Sequence, residues 1–65
     1  MYIAIFQNAR AVALAEQECR TQNIEVKVRA VPEHISSECG LCLEVQIIDI
    51  ERIKEALPRA VIYEI

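Results

Sequence analysis

An α+β domain of the ferredoxin-like type, with four antiparallel strands and two helices on one face, is the fold class this sequence predicts. Three observations carry it. Two runs, Ile24–Ala30 and Leu41–Ile47, alternate apolar and polar residues with the period of two that marks a half-buried strand. Two other stretches, Ala9–Gln22 and Ile50–Leu57, repeat apolar residues at three- and four-residue spacing, as a core-facing helix does. With apolar segments at both ends, the elements fall in the order strand, helix, strand, strand, helix, strand, which is the split βαβ arrangement.

Each element follows from its residues. Tyr2–Phe6 is a compact run of β-formers. Asn8 is placed to cap a helix, because its side-chain oxygen can accept a backbone N–H. Ala9–Gln22 is rich in alanine, glutamate and glutamine, with Val12, Ala15 and Cys19 on one stripe and Ala11 and Leu14 beside it. Asn23 follows where a left-handed residue is often needed, and asparagine tolerates that conformation. Ile24–Ala30 sets Ile24, Val26, Val28 and Ala30 against Glu25, Lys27 and Arg29, a charged face suited to a sheet edge. Asp49 is expected to cap the second helix, whose apolar face is Ile50, Ile53 and Leu57. Pro58 ends that helix by pushing its predecessor out of helical geometry, and Ala60–Ile65 is the last strand. Tyr2, Ala4 and Phe6 share one parity of the first strand. With Ile3 and Ile5 facing the helices, those three would lie on the open sheet face and support a homodimer through it.

The chain is 65 residues long, enough for a single domain spanning residues 1–65, and at that length only ~60% of the unfolded surface is buried. Hydrophobic residues make up 54% and charged residues 26%, which favours a folded globule over disorder. The net charge is −3 and the basic residues are scattered, so the electrostatic footprint of a nucleic-acid binder is missing. Met1 runs directly into a strand pattern without a secretory leader, and no apolar run approaches the ~20 residues that span a bilayer. The expectation is a cytoplasmic protein with neither membrane nor nucleic-acid partners. Three cysteines, an odd number, suit reduced thiols better than a disulfide framework.

The candidate chemistry is concentrated in Val31–Cys42. This stretch holds the only histidine, the only glycine, both serines and two of the three cysteines. Cys39 is the candidate thiol. Gly40 permits positive φ, so the chain can turn sharply beside it. Ser36 and Ser37 can donate hydroxyl bonds to an anion, and successive backbone N–H groups in such a turn form an anion nest. His34, once protonated, would add a cation that favours the thiolate. Glu33 and Glu38 oppose it if they point inward.

Cys39 and Cys42 form a Cys-x-x-Cys spacing, which points to redox or metal chemistry. With Gly40 and Leu41 extended, the two Cα atoms would lie roughly 10 Å apart at ~3.3 Å per residue, whereas a disulfide needs less than ~7 Å. Two cysteines and His34 fall short of the four ligands of a structural zinc site. Neither a metal nor a cofactor is expected. Cys42 reads as a strand residue and Cys19 as helix core. Metal chaperones of this architecture carry Cys-x-x-Cys between the first strand and first helix, where this chain has Gln7-Asn8.

Pro32-Glu33-His34-Ile35-Ser36-Ser37-Glu38-Cys39-Gly40-Leu41 resembles the proline, Ile/Leu and Ser-Ser-x-Cys-Gly signature of small bacterial selenium/sulfur carrier-like proteins. The resemblance extends over essentially the whole chain, including the opening strand, Ala15-Glu16 and Ile24. It implies that Cys39 is a carrier thiol, loaded as a persulfide or selenopersulfide by a donor enzyme and unloaded to an acceptor protein. This chain differs from the pattern in having Glu33 and His34 where a basic and then an acidic residue are usual. It also has Cys42 where a small residue is usual. Two further readings stand beside the carrier: a thiol redox partner using Cys39 and Cys42, and a non-catalytic interaction or regulatory module. On any of them the chain is more a carrier or binding protein than a free-standing enzyme.

Overall fold

The computed structural model describes residues 1–35 and 40–65. The elements run β1 (Tyr2–Ile5), α1 (Ala9–Thr21), β2 (Val26–Ala30), β3 (Leu41–Val45), α2 (Ile50–Ala56) and β4 (Val61–Glu64), with a 3₁₀ turn at Ile47–Asp49 leading into α2. All strand pairs are antiparallel, and the sheet order is β2-β3-β1-β4, the ferredoxin-like order. The charged strand β2 is an edge, as its Lys27 and Arg29 suggest.

Both helices lie on one face of the sheet. Val12, Ala15 and Cys19 of α1 and Ile53 of α2 pack with Ala4, Phe6, Ile24, Leu43 and Val45. The α1 stripe is therefore as expected, except that Leu14 points outward at 57% exposure. Ile53 and Leu43 are fully buried, each contributing ~1.5–3 kcal/mol by removal from water.

Local signals explain the ends of α1. Asn8 Oδ1 accepts the Ala11 N–H at 2.8 Å, the expected cap. At the other end Asn23 takes φ +59°, Ile24 N–H donates to Cys19 O at 2.8 Å, and Asn23 N–H donates to Arg20 O at 3.2 Å. These paired bonds make a Schellman closure. They hold Ile24 in the core before the strand begins, so β2 starts at Val26. The third strand likewise ends at Val45, because Ile47 already belongs to the 3₁₀ turn. Asp49 occupies the cap position of α2 but makes no side-chain cap bond there; its carboxylate instead pairs with Arg52 at 3.6 Å. Arg52 also donates to the Gln22 carbonyl, tying α2 to the C-terminal end of α1.

The parity of β1 is the reverse of the expected one. Tyr2, Ala4 and Phe6 face the helices, while Ile3 and Ile5 face the opposite side. A strand apolar on both parities gives no alternation from which to choose its inner face. The opposite face, moreover, is covered: Ile3, Ile5 and Cys42 form a second buried cluster against Val31, Ile35 and Ile65. The segment leaving β2 thus serves as a partial third layer, and Tyr2, Ala4 and Phe6 are not available for a dimer.

Candidate functional site

The segment between β2 and β3 is held at both ends. Val31 N–H donates to Gly40 O at 3.1 Å, extending the β2–β3 ladder by one pair, so the chain leaves and rejoins the sheet in register. Pro32 O accepts the Ile35 N–H at 3.0 Å, which closes a tight turn with Glu33 and His34 at its tip. Both tip residues are exposed. The turn aims Ile35 back onto Ile3, Ile5 and Cys42, so the one large apolar side chain between Pro32 and Gly40 becomes an anchor.

Gly40 has φ +75° and is exposed, and a Cβ there would meet nothing within 4 Å. Its requirement for glycine is therefore one of backbone conformation and not of space. Ser36, Ser37 and Cys39 lie outside the described residues. The described frame brings His34, Ile35 and Gly40 to the sheet end at which β1 finishes and β3 begins.

Cys42 is a β3 residue with no exposed surface, opposite Ile5 on β1 and Arg29 on β2. Its Sγ donates to Ala30 O at 3.8 Å. It points away from Leu41 and Leu43, which pack on the helix side, so the alternation read from the sequence is observed. Cys19 is 1% exposed within the helix–sheet core. Burial pushes its thiol pKa up, and the negative charges of Glu18, Asp49 and Glu16 add to the shift. Two of the three thiols are thus packed side chains.

Sequence reasoning named Ile35 only as the Ile/Leu position of the family-like signature and gave it no role in the site; its packing onto the sheet was not foreseen. Among the described residues no group of three or more His, Cys, Asp or Glu side chains is placed to hold a metal ion, and no helix is long and apolar enough to cross a membrane.

No curated protein and no solved structure matches the chain. The sequence profile of the family described as "Putative Se/S carrier protein-like" matches residues 1–63, nearly the entire chain, and the order of strands and helices agrees with the ferredoxin-like fold expected from the sequence pattern. The chain belongs to this Se/S carrier protein-like family.

Proposed function

We propose that the protein carries sulfur or selenium on Cys39. The observation that supports this most directly is the family match across residues 1–63. Cys19 and Cys42 are both packed into the fold, which leaves Cys39, beside the turn residue Gly40, as the thiol for chemistry. In the loading step the Cys39 thiolate attacks the outer sulfur of a donor persulfide. The new Cys39 S–S bond forms as the donor S–S bond breaks, the proton stays on the outer sulfur, and the donor leaves as a thiolate. A selenopersulfide follows the same course. Transfer to the acceptor protein repeats the exchange with the acceptor thiolate as nucleophile. Ser36 and Ser37 would supply hydroxyl donors to the anionic sulfur, Gly40 the turn, and protonated His34 a nearby cation.

This chemistry needs a cytoplasmic, reducing setting, a donor enzyme and an acceptor. A carrier must also keep a second thiol from attacking its persulfide, and Cys42 sits beneath Ile35 with no exposed surface. A homodimer through the sheet face would use the exposed part of its second side, where Val61 and Tyr63 are 51% and 41% exposed.

The test is loading by a cysteine desulfurase supplied with cysteine, or by a donor that carries a selenopersulfide, read by intact mass. Cys39→Ser should abolish the adduct, while Cys42→Ser should retain most of it. Equal loss in both variants, or isolation of the wild type as a Cys39–Cys42 disulfide, would replace the carrier with the redox pair.

A further inference from the structure

The sheet end that bears Val31 and Gly40 also bears a cavity of about 320 Å³ on the helix side. Phe6, Ala11 and Leu14 give it an apolar lining, and Arg10 and Arg59 line it beside Asn8. Arg10 lies in the first turn of α1, a turn without acidic residues, and Arg59 lies in the turn closed by Ala60 N–H to Leu57 O at 3.0 Å.

The two arginines there differ from the other three. The protein is net negative, with 10 acidic and 7 basic residues. Arg20, Arg29 and Arg52 are each paired with a carboxylate, namely Glu16, Glu44 and Asp49. Among the described residues, the Arg10 and Arg59 side chains make no ion pair or hydrogen bond, and no acidic residue lines their cavity. The two unneutralised arginines therefore converge on one concave, partly apolar site. Leu14, 57% exposed, extends its apolar wall into solvent. Guanidinium groups recognise carboxylate and phosphate through paired N–H donors and also lie flat against planar groups. Volumes of a few hundred Å³ suit a small ligand.

We infer that this cavity binds a small organic anion, its carboxylate or phosphate group held between Arg10 and Arg59 and its apolar or aromatic body resting on Phe6, Ala11 and Leu14. The site is on the helix side, across the sheet from the Ile35 anchor, so it stands whether or not Cys39 carries sulfur.

The test is titration of the full chain, followed by backbone amide chemical shifts, with phenyl phosphate, phenylacetate, inorganic phosphate and the uncharged benzyl alcohol. Phenyl phosphate or phenylacetate should give saturable shifts confined to Gln7–Leu14 and Arg59 at concentrations below ~20 mM, a weak affinity suited to two solvent-facing charges. The stronger of the two identifies the head group. Benzyl alcohol should give none. Arg10→Gln with Arg59→Gln should weaken binding about tenfold or more while leaving the melting temperature unchanged, since neither arginine has a partner to lose. Absence of saturable shifts, equal binding by the double variant, or inorganic phosphate binding as tightly as the organic anions would each overturn the inference.

Discussion

Ile35 should control access to Cys42, and the effect can be worked from the packing. Cys42 has no exposed surface, and Ile35 is one of three side chains that cover its cluster from the far side of the sheet. Truncating a fully buried isoleucine to alanine costs ~2–5 kcal/mol. Ile35 is half-buried, so about half of that, roughly 1–2.5 kcal/mol, is the expected loss of cover. If Cys42 reacts through transient lifting of this segment, Ile35→Ala should speed its alkylation roughly 5- to 70-fold. The assay is iodoacetamide labelling in a Cys39→Ser background, quantified by peptide mass at short times. Cys19 is the internal reference, because it opens with the helix layer and not with the loop. An unchanged Cys42 rate, or equal acceleration of both cysteines, would refute the idea that the 31–35 turn is the local cover.

Gly40→Ala should lower stability by ~1 kcal/mol, since φ +75° is costly for an L-residue although nothing obstructs the added methyl. For a domain of this size that means a melting temperature lower by about 4–8 °C, and Gly40→Asn should recover part of it; an unaltered melting curve for Gly40→Ala would mean that the turn relaxes freely. Alkaline pH should destabilise the protein through Cys19. Its folded-state pKa is raised above the ordinary 9.0, so the unfolded chain loses that proton first and stability falls as pH climbs past about 9. Cys19→Ala should flatten this slope in denaturant titrations at pH 8 to 10, and an identical slope in the variant would remove Cys19 as its source.

Most of the fold was legible because several local signals agreed. Asn8 and Asn23 bracket α1 as their chemistry suggests, and β3 alternates so cleanly that Cys42 could be assigned to the face opposite Leu43. β1 was not legible in the same way. Ile3 and Ile5 are as apolar as Ala4 and Phe6, so which parity meets the helices depends on what covers the other face. That cover comes from Val31, Ile35 and Ile65, far away in sequence, and no periodicity announces it. The candidate loop was visible through the clustering of glycine, serine, histidine and cysteine. The Arg10–Arg59 cavity was not, because its two cations lie 49 positions apart and line one cavity only once β1 and β4 pair.

The third layer over Ile3 and Ile5 makes the 31–35 turn and the fold energetically inseparable. A protein that lifts Ile35 to reach its neighbours strips cover from two central-strand isoleucines, and that newly bared surface is itself adhesive.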